Sequence, residues 1–212
     1  MRRNAKAWMG EMGGMSAGNS RLDRAAVVVS HLLNPAMVAW WVFAGLAWLA
    51  GAGWVAATVG VVFFALVPGV VLLYLNWAGV VDEVYPTDRS QRQRPLLLGA
   101  ACYFLGLLAL GLAGAPGFML GAGCVYCGNT LLVWQINKYW KISIHAVGVS
   151  GGLLLLLLAG GSGWWPLLCA LPLVAWARLQ LRAHTPAQVA AGALLGVCSS
   201  ALLLTLWTGV WA

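Results

Sequence analysis

Long apolar blocks, separated by short polar segments, dominate the pattern of this chain. An apolar helix needs about 20 residues to cross a hydrocarbon core of about 30 Å. The blocks predict seven spans, of which the fifth ends near residue 160 and the others lie at residues 25–50, 54–79, 96–114, 117–136, 164–181 and 186–207. A surface position for residues 25–35 would reduce the count to six. We therefore predict an all-α integral membrane protein, a bundle of six to seven transmembrane helices.

The first 24 residues differ from the rest because they are basic, rich in Gly, Met and Ser, and contain no continuous apolar stretch. We expect a flexible tail over residues 1–24 and a single transmembrane helical domain over residues 25–212. The apolar stretch after the tail is too long for a signal peptide and lacks a small-residue cleavage site. Asn34-Pro35 lies inside the first span and predicts a kink or a short interfacial helix before Ala36.

Composition strengthens the membrane assignment. Hydrophobic residues make up 62% of the chain and charged residues only 8%, and the mean hydropathy is +0.85. These values lie far outside the range of soluble domains, so we expect no separate soluble domain. The cysteines lie in apolar stretches, and Cys124 and Cys127 have no second cysteine pair or neighbouring histidine that would complete a metal site. We predict neither a metal site nor a cofactor.

Positive charge is distributed asymmetrically. Every Lys and Arg lies in the tail or in the polar segments after spans two, four and six, whereas the alternate loops carry none. The positive-inside rule assigns the charged side of a membrane protein to the cytoplasm. The net charge of +7 is explained by this topology, and we expect contact with membrane lipids and no nucleic-acid partner.

Three polar segments come together at that side of the bundle: Asp82 to Arg94, Asn137 to Ala146, and the region around Arg178 to Gln188. Charged groups near a membrane are costly unless an anion or a counter-charge compensates them. The acids in these segments, Asp82, Glu83 and Asp88, are too few to neutralise the cations. The segments therefore predict a phosphate or diphosphate partner whose apolar tail lies among the helices.

The third segment has a recognisable helix start. Thr185 is a hydroxyl N-cap, Pro186 takes the first helical position, and Gln188 completes a capping box. His184 lies just outside this helix, whose N-terminal N–H groups favour an anion. The alternative interpretation is that Arg178 is a cation flanking a membrane span and that His184 is an interfacial polar residue.

These segments resemble the motifs of the type 2 phosphatidic acid phosphatase (PAP2) superfamily, which are Lys-x6-Arg-Pro, Pro-Ser-Gly-His and Ser-Arg-x5-His-x3-Asp. Arg94-Pro95 matches the end of the first motif, and Ser143-Ile144-His145 matches Ser-x-His of the second. The spacing of Arg178, His184 and Gln188 matches the third. The resemblance covers about residues 80–205. Within this range, local sequence patterns are similar to those of a bacterial subgroup of the superfamily, and this similarity implies location in a prokaryotic cell membrane.

The chain departs from the family pattern at several positions. Thr87 stands where the first-motif lysine falls, so Arg89 or Arg92 must supply that cation. Other departures are Ile142 and Ile144 in the second motif, Ala177 for the third-motif serine, and Gln188 for the third-motif aspartate. A glutamine carbonyl can fix a histidine tautomer but stabilises an imidazolium only weakly. Gln188 also has a competing role, because a capping box would turn its side chain back to the Thr185 N–H.

The resemblance implies a metal-independent hydrolysis in two steps at one membrane face. His184 would attack phosphorus and form a phosphohistidine, and His145 would protonate the leaving alkoxide and then activate water. The groups that would hold the phosphate oxygens are Arg89, Arg94, Lys141, Ser143 and Arg178, with Arg92 and Arg182 as secondary candidates that can instead face lipid headgroups.

The expected function is hydrolysis of a lipid phosphate, either a polyprenyl phosphate or diphosphate or a phosphatidate-type lipid. A weakened relative that only binds lipid phosphates is the alternative, because Gln188 and Thr87 replace functional residues. An intramembrane prenyltransferase is a third interpretation, but such enzymes hold magnesium diphosphate with aspartate-rich motifs. The chain has acids in only one of the three polar segments, which argues against it.

Overall fold

The computed structural model describes residues 20–83 and 88–211, and this part of the chain is built from helices without strands. The predicted tail over residues 1–19 and Thr87 lie outside the described residues. The α-helices are α1 (Arg21–Leu32), α2 (Pro35–Leu49), α3 (Trp54–Val61), α4 (Val67–Trp77), α5 (Gln93–Leu112), α6 (Gly117–Asn137), α7 (Ile144–Gly160), α8 (Ala170–Gln180) and α9 (Pro186–Trp211). A π-helical turn, Val62–Leu66, joins α3 to α4, and 3-10 segments occupy Ser90–Arg92 and Gly161–Cys169.

The first helix begins inside the segment predicted as tail. Ser20 is its N-cap, and the Ser20 side chain accepts a hydrogen bond from the Asp23 N–H. This cap closes the first turn of α1 at Arg21, before the apolar block starts. The ordered bundle therefore extends further towards the N-terminus than hydrophobicity alone indicated.

The predicted kink at Asn34-Pro35 is confirmed. The helix axis bends there by 47° between α1 and α2. The Asn34 side chain caps α2 by accepting from the Met37 N–H at 2.9 Å, and Pro35 takes the first helical position. Proline has no N–H to donate and its ring blocks the preceding turn, so a helix ends before it and a new one begins.

The described residues contain five helices that are long and apolar enough to cross a membrane: Trp54–Trp77, Ser90–Leu112, Gly117–Asn137, Ile144–Gln180 and Pro186–Gly209. The count becomes six when the bent pair α1–α2 is taken as one span. The chain is thus a multi-pass membrane protein. The turn predicted at residues 161–163 is the beginning of a 3-10 segment, Gly161–Cys169, that joins α7 to α8.

This helical stretch folds back on itself. Residues 145 and 178 would lie about 50 Å apart along one straight helix, yet His145 and Arg178 line the same cavity. The reversal occurs at Gly161, where φ is 70°, a conformation that glycine adopts without a side-chain clash. Helices α7 and α8 are therefore two antiparallel arms whose outer ends meet at the cavity.

Glycines bring α9 into close contact with α7. A Cβ atom on Gly192 would lie 2.6 Å from the Ser143 carbonyl oxygen, and one on Gly196 would lie 2.5 Å from the Val147 carbonyl oxygen. Small residues at four-residue spacing, Gly192 and Gly196, thus allow close helix packing here. The contact matters for the site because α7 begins beside His145 and α9 begins just after His184.

Candidate functional site

A cavity of about 300 Å³ lies between the helices and reaches the end of the bundle where the polar segments meet. Four predicted site residues line it: Arg92, His145, Arg178 and His184. They come from the 3-10 segment before α5, the first turn of α7, the last turn of α8 and the residue pair before α9. Residues far apart in sequence thus form one polar head to the cavity.

His184 is held by Gln188 in a defined tautomer. The Gln188 Oε1 atom lies 3.1 Å from His184 Nδ1 and also accepts from the Thr185 N–H at 3.1 Å. A backbone N–H can only donate, so the atom between the two groups must be the amide oxygen. His184 Nδ1 then carries the proton, and the Nε2 lone pair is free for chemistry. Both roles expected for Gln188 are therefore met by one oxygen.

The surroundings of His184 favour its neutral form. Burial is the main cause that lowers the pKa of His184 to about 3, since an imidazolium would lose its hydration there. The cations Arg178, Arg92 and Lys141 add to the shift, while the Gln188 hydrogen bond opposes it. At neutral pH the ring is uncharged, which is the state that a nucleophilic imidazole needs.

Ser30 of α1 links Arg178 to His145, a role that no sequence pattern indicates. Arg178 Nη1 donates to the Ser30 hydroxyl at 2.7 Å, and the His145 ring hydrogen-bonds to the Ser30 backbone. Ser30 is a lone serine in the last turn of α1, a segment whose sequence is also compatible with an interfacial helix, so no motif marks it. Arg178 Nε is buried and has no hydrogen-bond partner among the described residues.

Arg92 and Lys141 add to the positive charge around the two histidines. Arg92 is only 7% exposed, which places the secondary candidate of the first segment inside the site. Lys141 is half-buried, and burial together with Arg92 and Arg178 lowers the pKa of its ammonium group. The nearby guanidinium groups disfavour the charged form of Lys141, and an anion among these cations would offset that effect.

The other predicted residues do not line the cavity. Arg89 donates from Nη1 to the Lys138 carbonyl oxygen at 2.9 Å, and the Asn137 side chain donates to the Arg89 carbonyl oxygen at 3.0 Å. These bonds tie the first polar segment to the second. Arg94 is exposed, although its neighbour Pro95 lines the cavity. Arg92, rather than Arg94, therefore supplies the guanidinium next to the histidines.

Ser143 supports the structure around the site. It is fully buried, and its hydroxyl oxygen accepts from the Ala146 N–H at 3.4 Å as the N-cap of α7. Its own N–H donates to the Gln188 carbonyl oxygen at 3.2 Å. Ser143 thus fixes the first turn of α7 against the first turn of α9, and it orients His145 without lining the cavity.

The rest of the cavity is mostly apolar. Its walls include Leu72, Leu73, Leu96, Val125, Val133, Val147 and the glycines Gly148, Gly151 and Gly152. Polar groups along these walls are few, and they come from Asn34, Tyr103, Tyr126, Asn129 and Thr130. A polar head joined to an apolar channel fits a molecule with a charged group and a hydrocarbon tail.

Within residues 20–83 and 88–211, no group of three or more His, Cys, Asp or Glu side chains is arranged to hold a metal ion. No protein-family model, curated protein or solved structure matches the chain.

Proposed function

We propose that this protein is a membrane lipid phosphatase that hydrolyses the phosphate or diphosphate ester of a long apolar lipid. One observation carries the proposal: two buried histidines, the buried Arg92 and the half-buried Arg178 form the head of a cavity whose remaining walls are mostly apolar. The guanidinium groups offer paired donors to phosphate oxygens. The apolar channel offers a place for the tail. The resemblance to the PAP2 motifs supports the same reaction.

The proposed reaction runs through His184. Its Nε2 lone pair attacks phosphorus and the bond from phosphorus to the lipid oxygen breaks. His145, which the bound phosphate favours in its protonated form, gives that proton to the departing alkoxide. Water then attacks the phosphohistidine, His145 takes a proton from that water, and inorganic phosphate leaves with His184 restored. Arg92 and Arg178 line the cavity and Lys141 adds its charge nearby, so we assign to these cations the stabilisation of the phosphoryl oxygens.

We place the site at the cytoplasmic face of a prokaryotic cell membrane. The described cations of α1 and of the polar segments support this orientation through the positive-inside rule. The likeness of the third segment to a bacterial subgroup of the PAP2 family supports a prokaryotic source.

The first experiment is phosphate release by the purified protein in detergent with a chelator present. Polyprenyl phosphate, polyprenyl diphosphate, phosphatidate and phosphatidylglycerophosphate are compared as substrates, and His184→Ala is tested beside the parent protein. We expect turnover that survives the chelator and falls at least about 10³-fold in the variant, because the nucleophile is lost.

A matched pair of arginine variants tests the site itself. Arg92→Ala removes the buried guanidinium, whereas Arg94→Ala removes an exposed one two positions away. We expect kcat/KM to fall about 10²-fold for Arg92→Ala, the size of effect that one lost charge-stabilising donor has, and to stay within about twofold for Arg94→Ala. Equal losses in both variants would contradict the assignment of Arg92.

A second candidate function is binding of lipid phosphates without turnover. The observation in its favour is that Gln188 Oε1 is neutral and is shared between His184 and the Thr185 N–H. Tight binding of a lipid phosphate by folded protein, with no phosphate released from any lipid, would establish this function instead. A prenyltransferase is not favoured, since no Asp or Glu is among the described residues that line the cavity.

A further inference from the structure

The hydroxyl group of Tyr126 stands out in the apolar part of the cavity. Tyr126 lines the cavity and is only 9% exposed. Its hydroxyl oxygen is buried and has no hydrogen-bond partner within residues 20–83 and 88–211. A buried hydroxyl that lacks a partner is unfavourable, because it loses its hydrogen bonds to water and gains none in return.

The neighbouring polar side chain on α6, Asn129, does have hydrogen-bond partners. Asn129 also lines the cavity, but its amide nitrogen donates to the Ser200 hydroxyl at 2.9 Å and its oxygen accepts from the Ser199 hydroxyl at 2.7 Å. The bundle therefore supplies partners to a buried polar group one turn away along α6. No described residue supplies a partner to the Tyr126 hydroxyl, so this hydroxyl is available to a bound ligand.

The Tyr126 ring is fixed, so its hydroxyl has a defined position. The ring packs edge-on against Tyr103 at a centroid distance of 5.7 Å and against Phe64 at 6.0 Å, and it lies 5.4 Å from Phe43. A Cβ atom on Gly152 would lie 3.5 Å from the Tyr126 hydroxyl oxygen. The hydroxyl thus lies beside the glycine face of α7, which forms a wall of the cavity.

The distance from the polar head identifies the part of a lipid that would reach this hydroxyl. Gly152 follows His145 by two helical turns, about 10 Å along α7 and on the same face. Gly148, Gly151 and Gly152 all line the cavity, so a chain that leaves the phosphate can lie against them. In an acylated lipid phosphate the carbonyl groups lie a few bonds from phosphorus, and an O–H···O bond adds about 2.8 Å.

We propose that Tyr126 is a specificity residue whose hydroxyl donates a hydrogen bond to a carbonyl oxygen of the bound lipid phosphate. The inference rests on the proposed function in that a lipid phosphate occupies the cavity. It narrows the substrate to lipids with an ester or amide carbonyl near the phosphate. A polyprenyl chain carries no such acceptor and would leave the hydroxyl without a partner.

The test compares lipids that differ only in the carbonyl. A diacylglycerol phosphate and the matched dialkyl ether phosphate are presented to the parent protein and to Tyr126→Phe in the same mixed micelles, and kcat/KM is measured for each. We expect the parent to prefer the ester lipid about tenfold, the effect of one lost hydrogen bond. Tyr126→Phe is expected to lose this preference through a slower reaction of the ester lipid, with the ether lipid unchanged.

Further lipids identify the source of the carbonyl. An N-acyl sphingoid phosphate that shares the Tyr126-dependent preference would show that an amide serves as well as an ester. Polyprenyl phosphate should behave like the ether lipid in both proteins. A parent protein that treats ester and ether lipids alike, or that turns over polyprenyl phosphate fastest, would overturn the proposal.

Two controls separate this inference from the proposed function. Tyr74→Phe removes a hydroxyl from a tyrosine that is 60% exposed and does not line the cavity, and it should leave every ratio unchanged. If no lipid is hydrolysed, the phosphatase proposal fails, and titration calorimetry with non-hydrolysable phosphonate analogues of the ester and ether lipids still decides the role of Tyr126. Equal affinities in the parent protein would refute that role.

Discussion

At the scale of single residues, Gln188 determines how His184 can react. Its Oε1 atom already selects the tautomer with a free Nε2 atom, but a neutral oxygen would give little support to the imidazolium that forms in the proposed attack. Gln188→Glu places a carboxylate at the same distance from His184 and keeps an acceptor for the Thr185 N–H. We expect kcat for phosphate release to rise about tenfold, since a charge-assisted hydrogen bond is about twice as strong as a neutral one.

The matched control is Gln188→Met, which has a similar length and lacks the acceptor oxygen. Without that oxygen, His184 can adopt the other tautomer and Thr185 loses a cap partner, so kcat should fall about 10²-fold. A rate for Gln188→Glu equal to that of the parent would show that support of the imidazolium does not limit turnover.

The lowered pKa of His184 predicts a pH dependence of stability. The pKa of this ring is about 3 in the folded protein and about 6.5 when unfolded. Between these values the unfolded chain binds a proton that the folded chain does not. The contribution of His184 to the free energy of unfolding is therefore complete above about pH 6.5 and falls with acidification, by up to about 1.4 kcal/mol per pH unit.

The measurement is the unfolding temperature in detergent between pH 7.5 and 5, for the parent protein and for His184→Gln. The parent should lose stability more steeply, because the variant has no ionisable group at this position. Parallel pH profiles would mean that His184 is not protonated differently in the two states. Added inorganic phosphate should reduce the slope, since an anion beside the ring favours its protonated form.

At the scale of helices, the contact between α7 and α9 sets the distance between His145 and His184. A Cβ atom on Gly192 would meet the Ser143 carbonyl oxygen at 2.6 Å, and a backbone atom cannot move aside as a side chain can. Gly192→Ala should therefore separate the helices. We expect a lower unfolding temperature and a loss of about 10²-fold in kcat, since a misplacement of about 1 Å can cost that much.

Gly209→Ala on the same helix is the matched control. A Cβ atom there would meet nothing within 4 Å, so the substitution should leave activity unchanged and raise stability slightly through helix propensity. If Gly192→Ala is as active as Gly209→Ala, the close approach of α7 and α9 does not set the geometry of the site.

The helix pattern explains how much of this site the sequence could reveal. The hydrophobic blocks predicted most helices, and the capping box Thr185 to Gln188 predicted the start of α9 and the bond of Gln188 to the Thr185 N–H. The contact of Gln188 with His184 was expected from the resemblance to the third PAP2 motif. The choice between Arg92 and Arg94 could not be predicted, because the 3-10 segment at Ser90–Arg92 rotates side chains relative to the α-helix that follows. Ser30 was missed because its contact with Arg178 bridges segments far apart in sequence.

At the scale of the whole molecule, hydrogen bonds between α1 and α8 hold the start of α1 at the end of the bundle that contains the site. The Gln180 side chain donates to the Asp23 carboxylate at 2.9 Å, and Arg178 donates to Ser30. The start of α1, with Arg21 and Arg24, therefore lies at the same end as the site. Basic residues of the first helix and of the polar segments share one end of the bundle, and through the positive-inside rule this supports the proposed cytoplasmic orientation.

Cysteine accessibility in intact cells tests this orientation. On a background without the native cysteines, Ser90→Cys reports the end with the site and Ser162→Cys reports the reversal between α7 and α8. Both serines are exposed, and an arm of about 25 Å separates the two ends, so a membrane-impermeant thiol reagent can distinguish them. We expect the reagent to label Ser162→Cys in whole cells and Ser90→Cys only in inverted vesicles. The opposite pattern would place the phosphate site outside the cell and would restrict its substrates to lipids of the outer leaflet.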